Sequence, residues 1–219
     1  MKPYIVGICG GSGSGKTFLL NKLLEYLPLE HISLISQDNY YKKFEEHPKD
    51  EDGLVNFDHP NALNLDAFVW DMEKLTNGES ISVQEYTFNN PDISPRTLHY
   101  SPTPIIILEG LFIFHKKELY RLIDLKLFVD TDEHLRLTRR LVRDYKERTY
   151  SYQATLRDYN KFVAPMFQKY VAPAKRMCDI IIPNNTYQEK TIKVLANHLK
   201  AMIERETIKP LYRSHAFSS

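Results

Sequence analysis

Two cysteines among 219 residues, Cys9 and Cys178, cannot build a disulfide framework. Each lies in or beside an apolar run, so buried free thiols are expected. Excess charge of either sign is also missing. The 29 basic and 28 acidic residues leave a formal net charge of +1, with no global pull toward nucleic acid or a membrane surface. No apolar run is long enough to span a bilayer, no signal-peptide pattern opens the chain, and neither internal repeats nor low-complexity linkers occur. A soluble cytoplasmic protein is expected, with no nucleic-acid or membrane partner. The length suits a single domain over residues 1–219, and 42% hydrophobic residues suffice for a core.

What is present alternates between strand and helix. Residues 4–9 form an apolar run that stops at glycines, the pattern of a buried parallel strand. Phe18, Leu19, Leu20, Leu23, Leu24 and Leu27 come next at helical spacing, and Pro28 marks the end. Further strands are expected over 31–36, 104–108, 125–129 and 179–183. Helices are expected over 63–75, from 132 with Thr131 as cap, over 152–171 with a kink or break at Pro165, and over 188–205, with a loose tail after Pro210. Asn77-Gly78 reads as a hairpin signal leading into a strand-like 80–88. Asn90-Pro91 and Ser94-Pro95 punctuate the next stretch, so 76–103 is expected as a small β-rich insertion outside the central sheet.

Gly10-Gly11-Ser12-Gly13-Ser14-Gly15-Lys16-Thr17 meets the pattern G-x-x-x-x-G-K-[ST], with a strand expected before it and a helix after it. Its glycines let successive backbone N–H groups turn inward around phosphate oxygens, and the helix aims its positive end at them. Lys16 reaches the β- and γ-phosphates, and the Thr17 hydroxyl binds Mg²⁺. ATP is the expected donor, with GTP as an alternative. The implied fold class is α/β, a P-loop NTPase fold with a five-stranded parallel sheet, helices on both faces, a small β-hairpin insertion and a helical lid.

Two carboxylates end expected strands, where ligands bind in such sheets. Glu109 closes the most apolar strand and can hold Mg²⁺, unless it is an ordinary charged residue at a strand exit. Asp38 can accept the proton of an attacking hydroxyl, or simply cap a turn beside Asn39. Asp58, in Asn56-Phe57-Asp58-His59-Pro60, fits a turn, or a partner for sugar hydroxyls. Arg136, Arg139, Arg140 and Arg143 share one helical face, and Arg148 lies just beyond. Such a face can be merely solvated. Like charges one turn apart also suggest an anionic partner, with Arg143 and Arg148 in a lid over the transferring phosphoryl group and Arg136 and Arg139 structural.

These blocks, with Ile35-Ser36-Gln37-Asp38-Asn39-Tyr40-Tyr41, Ile107-Leu108-Glu109-Gly110, Leu127-Phe128-Val129-Asp130-Thr131 and Asp179-Ile180-Ile181-Ile182-Pro183, resemble the uridine kinase (uridine–cytidine kinase) family of P-loop kinases over residues 4–200. The resemblance implies Asp38 as base for a nucleoside 5′-hydroxyl, Asp58 and Arg140 on the ribose side, Thr17 and Glu109 on Mg²⁺, Tyr86 at the base, and a lid over about 139–160 carrying Arg143 and Arg148. It also implies a homo-oligomer, a tetramer or dimer. Three base-side positions depart from the family: Pro91 replaces a histidine, Tyr150 an arginine and Asp158 a glutamine. Proline has no side-chain donor and an ionised aspartate only accepts, whereas uracil offers two carbonyl acceptors and one N–H. The alternative is therefore the same phosphotransfer to another acceptor, such as nicotinamide riboside, whose cationic base would suit Asp158, or another hydroxyl metabolite. A GTP-driven switch would need an Asn-Lys-x-Asp guanine reader, which the sequence lacks, and Asp50-Glu51-Asp52-Gly53 fits D-x-x-G by composition only.

Overall fold

A computed structural model describes residues 2–88, 93–148 and 150–215, with only the backbone from 206 onward. In chain order the elements are β1 (Tyr4–Gly10), α1 (Lys16–Leu24), β2 (Ile32–Ser36), α2 (Leu65–Thr76), β3 (Ile81–Gln84), β4 (Thr97–Tyr100), β5 (Ile105–Gly110), α3 (Lys117–Leu122), β6 (Leu125–Asp130), α4 (Glu133–Glu147), α5 (Tyr152–Asp158), α6 (Ala164–Met166), β7 (Ile180–Pro183) and α7 (Glu189–His215). Five strands form one parallel sheet in the order β2-β5-β1-β6-β7, and β3 and β4 pair antiparallel apart from it.

The central strands are apolar on both faces because helices cover both. On one face Ile5, Ile106 and Leu108 pack with Phe68, Met72 and Leu75 of α2. On the other, Val6, Ile8, Ile105 and Ile107 pack with Leu19, Leu20 and Leu23 of α1 and with Ile192, Leu195 and Leu199 of α7. Full burial of each such side chain stabilises the fold by about 1.5–3 kcal/mol. The register sets Ser36 beside Glu109 and Cys9 beside Gly110, so the carboxyl ends of β2, β5 and β1 open side by side. The Cys9 thiol is buried, donates to the Leu111 carbonyl at 3.2 Å, and is pushed up to about 12 by that burial. Cys178 is only half-buried, so the expectation of two buried thiols holds for one.

Several expected details differ. Asn77-Gly78 closes no hairpin. Gly78 N–H donates to the Leu75 carbonyl and Glu79 N–H to the Lys74 carbonyl, which ends α2 in a Schellman cap with Gly78 at φ 89°. The hairpin signal failed here because the same dipeptide suits a left-handed helix end. The actual antiparallel pair runs Ile81–Gln84 against Thr97–Tyr100, and Phe88 lies outside it. Thr131 is not the cap of α4. Asp132 occupies that position without a side-chain bond, and the Thr131 hydroxyl donates to the Ser14 carbonyl at 2.9 Å. Pro165 does not break its helix, which continues from α5 to Val171 through two π-turns, Tyr159–Val163 and Phe167–Val171, flanking α6. The last helix passes Pro210 and ends at His215, beyond the expected end. The short α3 was not expected.

Nothing lies within 4 Å of a Cβ built on Gly78, so its φ alone decides the cost of a side chain. Gly78→Ala is expected to destabilise the fold by about 1 kcal/mol. Thermal unfolding checks this, and an unchanged midpoint would count against the cap.

Candidate active site

The loop between β1 and α1 is shaped by what holds its carbonyls. Three donors converge on the Ser14 carbonyl: the Asn184 Nδ2 at 2.7 Å, the Thr131 hydroxyl at 2.9 Å and Arg139 Nη1 at 3.4 Å. With that carbonyl held outward, the neighbouring N–H groups are left for an anion. Gly13 and Gly15 stand at φ 74° and 86°, and a Cβ on either would come within 2.3 Å of Arg136 O or Asn184 Nδ2. Lys16 Nζ donates to the Gly10 and Gly11 carbonyls at 2.9 and 3.3 Å, at the mouth of the loop.

A cavity of about 310 Å³ opens over this loop. Ser12, Gly13, Gly15, Lys16 and Thr17 line one end, while Gly10, Gly11 and Ser14 form the loop's body. The sheet supplies Asp38 and Glu109, and the Ser36 hydroxyl donates to Glu109 Oε1 at 2.6 Å and so orients it. Thr17, Glu109 and Asp38 are hard oxygen donors, the chemistry Mg²⁺ takes when phosphates complete its shell. Asp38 lies after β2 in a short 3₁₀ turn capped by Ser36, so Asp38 is not itself the cap. The dense walls around its carboxylate, then the nearby Glu109, raise its pKa to about 6, although Lys16, Arg148 and Arg143 pull the other way.

All four arginines of the helical face turn toward the loop. Arg136 is buried beneath it, stacked 3.6 Å over Phe167 with Nε donating to Thr131 O, and is structural as expected. Arg139 differs from expectation, because it lines the cavity besides bonding Ser14 and Asn184. Arg140 Nη1 donates to Asp58 Oδ1 at 3.2 Å and to Ser12 Oγ at 3.0 Å. Asp58 is thus more than a turn residue: it is 8% exposed and paired across the cavity wall. Asp144, missed as a site residue, gathers the rest. Its carboxylate accepts from Arg140 Nε at 3.2 Å and Arg143 Nη2 at 3.0 Å, and lies 3.5 Å from Arg148 Nη1. Burial works against the charge of Arg140, but Asp58 and Asp144 more than offset it, so its pKa stands above the ordinary value. Burial and then Arg143 hold that of Arg148 below it.

The far end is aromatic. Tyr41 and Tyr86 meet at 4.7 Å between ring centres, Tyr86 and Phe88 at 5.0 Å, and Arg148 lies 3.9 Å over Phe88. The Tyr86 N–H donates to Asn39 Oδ1 at 3.0 Å, which ties the segment after β3 to the turn that carries Asp38. The Tyr41 hydroxyl donates to the Phe57 carbonyl at 3.1 Å, fixing the segment beside Asp58. Tyr150, Thr155 and Asp158 also line the cavity. Pro91 and Thr149 lie outside the described residues. Tyr41, Phe57, Phe88, Asn184 and Asp144 were missed. Only Asp144 carried a readable signal, a lone acid among arginines at positions 140, 143 and 148.

Removing a buried partner leaves its counter-charges uncompensated. Asp144→Ala is expected to cost about 3 kcal/mol, near the low end for buried pairs because Arg143 is about a third exposed. Denaturant unfolding measures this, and a loss below about 0.5 kcal/mol would remove Asp144 as the anchor of the cluster.

The model of the Phosphoribulokinase / Uridine kinase family matches residues 5–191. A uridine kinase of Staphylococcus haemolyticus is 36% identical over 203 residues, covering 92% of this chain and 98% of its own. One of Staphylococcus carnosus is 38% identical over 92% of this chain and 97% of its own. A uridine-cytidine kinase A of Dictyostelium discoideum is 37% identical over 95% of this chain, which spans 41% of that longer protein. Among solved structures, a possible uridine kinase from Bacillus stearothermophilus superposes with a TM-score of 0.55 at 16% identity, covering 83% of this chain and 89% of its own, which supports the fold alone. With the glycine loop, the strand-end carboxylates and the arginine face in one cavity, the chain belongs to the phosphoribulokinase/uridine kinase family.

Proposed function

We propose that the chain phosphorylates the 5′-hydroxyl of a pyrimidine nucleoside, uridine or cytidine, with ATP as donor. The observation that carries this is Asp38, a carboxylate with its pKa raised to about 6, in the same cavity as the phosphate loop and the Asp58–Arg140 pair. The loop N–H groups and Lys16 hold the triphosphate. Asp58 accepts from the ribose hydroxyls, with Arg140 holding its carboxylate in place. The 5′-hydroxyl gives its proton to Asp38 as its oxygen bonds the γ-phosphorus, and the bond to the β–γ bridging oxygen breaks to release ADP. Arg143 and Arg148 meet the negative charge on the transferring group. Thr17 and Glu109 would hold Mg²⁺, which would supply positive charge against the phosphate oxygens.

In this assignment residues 76–103 are the nucleoside-side insertion and about 139–160 the lid of a single kinase domain. Tyr86 packs on the base, with Tyr150 and Asp158 beside it. The alternative acceptors are less favoured. The two staphylococcal relatives are uridine kinases, and Arg157 already pairs with Asp158, which reduces its attraction for a cationic base. Cytoplasmic localisation and assembly into dimers or tetramers belong to the same proposal, supported by the family resemblance alone. Among the described residues no helix is long and apolar enough to cross a membrane.

Asp38→Asn is expected to lower kcat by about 10²–10⁴ with nucleotide binding retained. Unchanged kcat would remove Asp38 as base. In the wild type kcat/KM is expected to fall as pH drops through about 6, where Asp38 takes up its proton. The sign for stability is opposite to that of a paired aspartate. Because the folded pKa lies above the ordinary 3.8, ionising Asp38 works against folding, fully so above about pH 6. Asp38→Asn is therefore expected to melt above the wild type at pH 8, and a lower melting temperature there would contradict the desolvated carboxylate.

A further inference from the structure

The cavity lining carries hydrogen-bonding groups that phosphoryl transfer does not use, and in the proposed function one of them, Asp158, lies beside the base. Thr155 and Asp158 lie three residues apart on one face of α5, and both line the cavity. Arg157 Nε donates to Asp158 Oδ1 at 2.8 Å, and its Nη2 lies 2.8 Å from the same oxygen. Oδ2 has no hydrogen-bond partner among the described residues. Thr155 is buried, and its hydroxyl has none among them either.

We infer that Asp158 makes this site prefer a pyrimidine nucleoside with an exocyclic amino group, cytidine over uridine. The inference rests on the nucleoside-kinase proposal and narrows it. Cytosine presents an amino donor at N4 beside acceptors at N3 and O2. Uracil presents a carbonyl at O4, an N–H at N3 and a carbonyl at O2. A carboxylate oxygen only accepts. Facing the amino group, Oδ2 gains a charge-assisted hydrogen bond. Facing O4 it meets a second acceptor. Turned instead to the N3–H, the carboxylate comes to lie between two carbonyl oxygens. The Thr155 hydroxyl can donate to N3 of cytosine or accept from N3–H of uracil, so it serves either ring, and the discrimination lies with the carboxylate. Tyr86 and its aromatic neighbours stack on both rings alike.

The experiment is steady-state kcat/KM of the full chain for cytidine and for uridine, with ATP and Mg²⁺, in the wild type and in Asp158→Asn. Cytidine is expected to be favoured by about tenfold or more, the effect of one charge-assisted hydrogen bond. The ratio should fall to within about threefold in the variant, whose amide can turn its NH₂ toward O4. Uridine used as well as cytidine by the wild type overturns the inference and leaves the nucleoside-kinase proposal standing. A preference that persists unchanged in the variant removes Asp158 as its source. Turnover of no nucleoside at all overturns the nucleoside-kinase proposal and this inference together. Thermal unfolding with and without ATP separates misfolding from altered selectivity, and the wild-type ratio remains a test if the variant does not fold.

Discussion

Three guanidinium groups crowd the carboxylate of Asp144, and the site depends on that arrangement. Arg140, Arg143 and Arg148 repel one another and, left alone, would spread into solvent. One buried acid at a distance of 3.0–3.5 Å holds them on the same side of α4, facing the loop. The charge is not cancelled, since three cations share two carboxylates, Asp144 and Asp58, and the surplus faces the position an anionic ligand would take. The same arrangement lets Arg140 serve two carboxylates, one on its own helix and one in the segment after the β2 turn. Helix and segment are thereby set relative to each other by electrostatics rather than by packed apolar surface.

The phosphate loop shows a related economy in neutral groups. Donors from three elements meet at the Ser14 carbonyl, and none of them belongs to the glycine pattern. Glycine permits the loop's shape, and the surrounding donors select it. A buried carbonyl with three donors is costly to turn inward, because each lost hydrogen bond would leave a desolvated group behind.

Features set by local chain chemistry were legible in the sequence. The apolar runs of β1, β5 and β6, the glycine loop and the arginine periodicity all map onto the structure. Features set by distant partners were not. Asn184 lies 170 residues from the carbonyl it holds, and no spacing rule reaches that far. Thr131 looked like a helix cap because the sequence shows the helical run after it and not the loop against which it packs. Asn77-Gly78 failed for another reason: hairpin turns and helix ends share the left-handed conformation that glycine supplies, and only the tertiary context chooses between them. Within the site, residues at strand ends were found because parallel sheets place ligands there. The aromatic wall of Tyr41, Phe57 and Phe88 was missed because aromatic residues have many other uses.

Arg148 touches Asp144 within the cationic cluster and, at once, the ring of Phe88 at the aromatic end. The two halves of the cavity are mechanically linked through this one side chain. A base that fits the aromatic wall leaves Phe88, and therefore Arg148, where the cluster needs it. A base that pushes Phe88 aside would displace a cation from the phosphate end as well. Discrimination among acceptors would then register in the speed of transfer as much as in the strength of binding, and a poor fit at the ring would be felt at the phosphorus.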